Sequence, residues 1–344
     1  TKLMEEYEPI AEMDVFWDKD WDEGMDLLLP EFGNLKAMTR AFAARMELRS
    51  YRGDVKGSLE DLHLGSRIVK QSGTSPVLIG LLVQIANRNI MTQAILRSAS
   101  YHLADPATLE AYAEAAGALK PDVKLSQALR AESYCGIVAM RNWSIREVDH
   151  WLLNGSLGLG IPEGRKDLIR SGNPRSAIPR FFAVPLLEYW AEYGEAMKAQ
   201  GDTLEATLEV ARKMNARANS IEMPRGTMVA ILSVDMTRAV EAAIRTEADH
   251  RNLLAALKLA ARRARRGGVT DAEVEALLPE DPFTHQPMKA ALTKGTIKLW
   301  SLGLDKTDQG GLSRVETGSS PHDLPTHLPW RHLKKATGPG SSGP

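Results

Sequence analysis

The 344-residue chain has a single cysteine, Cys135, so neither an intramolecular disulfide framework nor a cysteine-based zinc cluster can hold it together. It has no apolar run near the ~20 residues a spanning helix needs. Its longest, residues 76–86, reads as a buried helix. No secretory signal is visible. Charge of one sign is missing too: 43 basic and 44 acidic side chains give a net charge of −1, without the basic excess of a bulk nucleic-acid binder. HExxH, GxSxG, a phosphate-binding glycine loop and a dinucleotide fingerprint are all absent. What remains is a chain with 43% hydrophobic residues, enough for a real core. At about 150 residues per domain, its length suits two domains or one long helical array.

The near-zero charge is a sum of unlike parts. Residues 1–33 carry eleven acidic and two basic side chains, and the rest carry 33 acidic and 41 basic. Such a block reads as a solvated acidic arm, or as one that folds back onto a basic body. Asp18, Asp20 and Asp22 alternate as a calcium loop begins, but the sixth and twelfth positions are Glu23 and Leu29, not the Gly and Glu that loop requires.

Apolar spacing near 3.6 residues then predicts helix after helix, giving a mainly α fold of antiparallel helical hairpins. Residues 34–51 align Leu35, Met38, Phe42, Met46 and Leu48; Gly53 suits the turn after that helix and Asp54 the N-cap of the next, 55–71. Residues 77–102 are apolar nearly all round and predict a central helix. Pro106 and Pro121 open further helices. Residues 154–176, rich in Gly and Pro, read as a linker between helical subdomains at 34–153 and 177–268. Pro185 predicts a kink in a helix over 177–199, and two helices are expected over 225–247 and 249–266. Gly201-Asp202 repeats the Gly53-Asp54 junction, which reads either as two related helical hairpins or as capping chemistry common to any helical hairpin. Thr270 caps a short helix, and 296–301 is β-prone. From 306 onward, 11 of 39 residues are Gly or Pro, so the sequence predicts a disordered tail over 312–344.

Few residues carry candidate chemistry. Glu132 sits on an otherwise apolar helix; Glu188 and Glu192 lie four apart beside Tyr189, Trp190 and Tyr193. Buried carboxylates of this kind serve acid–base or metal chemistry, or simply pair with cations. Arg262, Arg263, Arg265 and Arg266 end a helix, where cations complement its dipole. Cys135 reads as a small buried hydrophobe. His322, His327 and His332 recur in the tail without a scaffold to fix them as ligands.

One ordered pattern stands apart: Asp281-Pro282-Phe283-Thr284-His285-Gln286-Pro287, then Leu299-Trp300-Ser301-Leu302-Gly303-Leu304-Asp305, then Asp308, Gly310 and Gly311. It resembles the C-terminal module of type II secretion major pseudopilins. It is more similar still to the same module at the end of uncharacterised, membrane-anchored helical proteins of bacterial envelopes. The resemblance spans about 250–311, within a module of 269–311. It implies a β-hairpin and a loop holding calcium, with the carboxylates of Asp305 and Asp308 and the carbonyl of Leu302 as ligands. The chain departs from the pseudopilin pattern at Lys306, where that pattern has Gly, and in lacking the later acidic pair. Calcium takes six to eight oxygens, so a metal-free Asx turn stands beside the calcium reading.

The resemblance also implies an extracytoplasmic or periplasmic setting and a membrane tether ahead of Thr1. The expected role is non-enzymatic, in protein interaction or assembly, with a protein partner or self-association and no nucleic acid. The alternative is an enzyme or small-ligand binder using an inter-helical pocket with Glu132, Glu188 and Glu192.

Overall fold

The computed structural model describes residues 2–13, 19, 29–120, 125–142, 174–200, 203–221, 229, 236–293, 296–312 and 323–329. Its helices are α1 (Lys2–Glu12), α2 (Glu31–Tyr51), α3 (Val55–Ser72), α4 (Leu78–Ser100), α5 (Pro106–Ala116), α6 (Leu125–Asn142), α7 (Pro174–Gln200), α8 (Leu204–Ser220), α9 (Met236–Arg266) and α10 (Asp271–Glu275). Three strands follow: β1 (Lys289–Thr293), β2 (Thr296–Ser301) and β3 (Leu324–Pro329). The mainly α architecture is what the periodicity predicts, and the small C-terminal sheet has three strands where the resemblance implied a hairpin.

Local chemistry sets the helix ends. Gly53 sits at φ 83°, a conformation that glycine adopts without steric cost. Asp54 then caps α3 by accepting from the Gly57 amide. Asp105 accepts from the Ala107 and Thr108 amides, with Pro106 in the first turn of α5. Thr203, one residue beyond the Gly201-Asp202 pair, caps α8. Thr270 and Glu273 form a reciprocal capping box on α10.

Two helices organise the core. α4 packs against α2, α3, α5, α6 and α9, so its all-round apolar character does mark a central element. The expected helices over 225–247 and 249–266 correspond, within the described residues, to the single α9. Nothing between Thr246 and Asn252 is a Gly or Pro that would break it. Its first half (Met236, Val240, Ala243, Ile244) joins one apolar cluster with α6, α7 and α8. Its second half (Leu253, Ala256, Leu257, Ala260) joins another with α3, α4, α5 and the sheet. The stretches 34–153 and 177–268 therefore share core through α4 and α9. The linker at 154–173 lies outside the described residues, and α7 already begins at Pro174 and continues through Pro185.

Strand β2 is central, antiparallel to β1 on one side and β3 on the other. Ile297, Leu299 and Leu328 are fully buried in the cluster that α9 feeds. Within the tail expected to be disordered, β3 is thus a regular strand. Pro325 and Pro329 argue against a central strand, but β3 lies at the sheet edge, where a missing N–H donor is tolerated.

Candidate functional site

The C-terminal module is built around two buried carboxylates. Asp281 is fully buried; its Oδ1 accepts from the Phe283 amide (2.9 Å) and the Ser301 hydroxyl (2.9 Å), and its Oδ2 from the Leu302 amide (2.8 Å). Those bonds join the Asp-Pro-Phe turn to the end of β2, which accounts for the distance between the two halves of the motif. Asp323 does the same for the next loop: its Oδ2 accepts from the amides of Gln309 (2.9 Å) and Gly311 (2.8 Å). Burial pushes its carboxyl up, partly offset by those amides, while Asp308 and Asp305 nearby push it further up.

The three residues expected to ligate calcium sit in this loop. Asp308 Oδ1 accepts from the Trp300 indole (3.0 Å) and the Gly310 amide (2.9 Å). Asp305 accepts from the Thr307 amide (3.2 Å) and the Gln309 side chain (2.7 Å). Leu302 contributes its N–H to Asp281, as above. The carboxylates therefore make Asx-type turn contacts. Among the described residues no group of three or more His, Cys, Asp or Glu could hold a metal ion. Gly311, at φ 65°, lies against Trp300 and Lys298 so closely that a Cβ would fall 2.8 Å from both side chains.

Two carboxylates of the alternative pocket, Glu132 and Glu192, have separate partners. Glu132 Oε1 accepts from the Leu78 amide (2.8 Å), at the first residue of α4. Val77, the N-cap there, supplies no side-chain bond, so a carboxylate from α6 does the capping. Burial raises its pKa, and the Leu78 amide pulls it back. Glu192 pairs with Arg217 of α8 (3.2 Å) on the exposed surface, and Glu188 is exposed on α7. Arg265 pairs with Glu110 at 2.7 Å, and Arg266 with Glu273. Arg265 and Arg266 thus have carboxylate partners as well as the helix end.

Ser50, His102 and Asp105 resemble a hydrolytic triad by residue type, and their geometry argues against that use. The buried Ser50 hydroxyl donates to the Ser98 carbonyl (2.9 Å), so His102 Nε2, 2.8 Å away, must be the donor to it. A general base needs the reverse. Asp105 is spent on Thr108 and Ala107. The trio joins the ends of α2 and α4 to the start of α5.

One constellation has no precedent in the sequence pattern, and a second decides between two readings of it. His285, at the unusual φ of 56°, bonds Glu280 through Nδ1 and Glu205 of α8 through Nε2, both at 2.8 Å. Those carboxylates raise its pKa. The acidic arm is the second. Of its two readings, solvated or folded back onto the body, the described residues fit the second: α1 (Lys2–Glu12) docks on α3, and Glu8 pairs with Arg45, which also holds the buried Asp61. The apolar spacing of Met4, Tyr7 and Ala11 carried the signal, which the charge block masked.

Comparison of the chain with protein-family models, curated proteins and solved structures gives no match.

Proposed function

We propose that the protein is a non-enzymatic helical component of the bacterial envelope that acts by binding protein, in assembly with a partner or with further copies of itself. The observation that carries this reading is exposed apolar surface on three helices packed in series. Ile79 and Leu82 on α4 are 47% and 37% exposed, Tyr134 on α6 is 47%, and Val184 and Leu187 on α7 are 41% and 44%. Pro76, Gln127, Arg130, Ala131, Tyr134 and Cys135 line an open groove of about 470 Å³ that includes one of them. Single exposed apolar residues are ordinary, whereas several on neighbouring helices mark interaction surfaces.

Glu132, considered for catalysis, supports the same reading, because its described contact caps α4. Placement at the envelope rests on the motif over 281–311. Among the described residues, no helix is long and apolar enough to cross a membrane.

The test replaces Leu82 and Leu187 together by Glu in the full chain. Native complex size is followed by gel filtration of cell extract and purified protein. The wild type is expected well above its 37.8 kDa monomer mass. The double variant should elute as a monomer with unchanged melting, since exposed substitutions cost within about 0.5 kcal/mol. Wild-type protein that is monomeric in extract and at all concentrations would overturn the proposal.

A further inference from the structure

Helix α1 cannot hold itself. Its 11 residues, with Pro9 inside, are fewer than the ~12–15 at which an isolated helix is even marginal. Its helicity therefore comes from the surface it lies on. One stripe makes the contact: Met4 and Ala11 are buried, and Tyr7 and Glu8 between them are half-buried. This is the i, i+3, i+4, i+7 spacing of a helix seated in a groove. Glu8 accepts from Arg45 at 2.6 Å.

The receptor also supplies what a helix end lacks. The last carbonyls of a helix have no partner within it. Here Arg67 Nε donates to the Ala11 carbonyl (2.9 Å) and its Nη2 to that of Glu12. Gln71 Nε2 donates to the carbonyls of Ala11 (3.2 Å) and Met13 (2.6 Å). Both donor side chains, Arg67 and Gln71, sit on α3, so the cap belongs to the groove and not to its occupant. An open space of about 590 Å³ beside α1 is edged by Arg45, Arg49, Lys56 and His63. The site thus reads an acidic helix by three generic features: two apolar anchors seven apart, a carboxylate between them, and free C-terminal carbonyls.

We propose that the groove formed by α2 and α3 is a docking site for the acidic helix 2–13 of a second copy of this chain, with the chain's own α1 as its resident occupant. Residues 14–30 connect α1 to α2: seventeen residues with six acidic and one basic side chain. Their contour reaches roughly 55 Å. In dilute solution the tether keeps the chain's own helix in place at an effective concentration on the order of millimolar. Copies gathered by assembly exchange helices, as in a domain swap. The inference rests on the assembly reading but uses a separate surface from the α4–α6–α7 face.

A fluorescein-labelled peptide of residues 1–13 tests it by polarisation against the full chain. Ala11→Asp places a charge at a buried contact and releases α1. Glu8→Lys, which reverses the charge facing Arg45 at a partly solvated contact, is the second releasing variant. Both should bind the peptide about tenfold or more tightly than wild type does, because the competing tethered helix is gone. Adding Arg67→Ala to either should weaken binding severalfold, as should raising the salt, since the Glu8–Arg45 pair is partly solvated. Equal binding to wild type and both releasing variants, or indifference to Arg67→Ala, would overturn the proposal. The gel-filtration result for Leu82 and Leu187 is read independently of either outcome.

Discussion

Replacing Asp281 by Ala should detach the C-terminal module's turn from its sheet. The wild-type carboxylate is fully buried and accepts three hydrogen bonds, from the Phe283 amide, the Ser301 hydroxyl and the Leu302 amide. A hydrogen bond to a charged group contributes about 1.5–3 kcal/mol, and a buried donor left unmade costs about 1–3 kcal/mol. Ser301 can rotate its hydroxyl elsewhere and the Leu302 amide is only part-buried, so the whole loss is about 3–5 kcal/mol rather than the full sum. Asp281→Asn keeps one oxygen for Phe283 and Ser301 but sets an NH2 group against the Leu302 N–H, and should cost about half as much. Native-state hydrogen exchange reads this region by region. Each 1.4 kcal/mol is tenfold, so amides of Ile297 to Leu302 should exchange about 10²–10³-fold faster in Asp281→Ala. Amides of α2 and α3, remote from the turn, serve as the unchanged reference. A change of less than about tenfold in β2, or equal loss of protection throughout, would refute the assignment of Asp281 as the module's local tie.

Three further outcomes follow from the same contacts. Glu132→Ala should cost about 1–2 kcal/mol in denaturant unfolding by uncapping α4. Glu132→Gln keeps an acceptor for Leu78 and should be neutral or stabilising at pH 7, because the raised carboxyl pKa means that the fold loses stability as pH rises through it. His250 is buried, and its pKa is lowered to about 4, first by burial and then by Arg88, Lys120 and Arg251 against Glu247. A depressed folded pKa gives stability that is present above the unfolded value of 6.5 and lost as pH falls through about 4. Urea melts across that window should show His250→Leu with a flatter acid limb than wild type, by on the order of 3 kcal/mol. Gly311→Ala forces a Cβ onto Trp300 at a positive φ. It should cost about 1–3 kcal/mol and shift Trp300 fluorescence, and an unchanged emission and melt would contradict the packing described.

The helical architecture was legible because most of it follows from local signals: the Gly53-Asp54 junction, Asp105-Pro106 and the Thr270 capping box all act where their residue types predict. Three features were not, each for a physical reason. The continuity of α9 depends on the absence of a breaker, and absence leaves no mark in an amphipathic pattern. Strand β3 gains its order from β2 and from Asp323 gripping the preceding loop, contacts distant in sequence, while its own prolines suggest the opposite. Folding back of the acidic arm was one of two readings of its charge, but the seat of α1 depends on Arg45, Arg67 and Gln71, which the arm's own sequence cannot reveal. The carboxylates are harder still. Glu132 looked like candidate chemistry because a carboxylate on an apolar helix needs a partner, and that partner is a backbone N–H on α4 that residue types do not show. Asp281 was visible only as the first letter of a motif, though its burial makes it the most consequential carboxylate of the module.

The central claim, that the exposed apolar face of α4, α6 and α7 is where this protein meets other proteins, is tested most directly by photo-crosslinking. A benzophenone amino acid is placed at Leu82 or Leu187 of the full-length protein in its own cells, with the exposed Arg212 of α8 as the control position. The account predicts discrete, size-shifted adducts from Leu82 and Leu187 and none from Arg212. Equal or absent crosslinking at all three positions would contradict it.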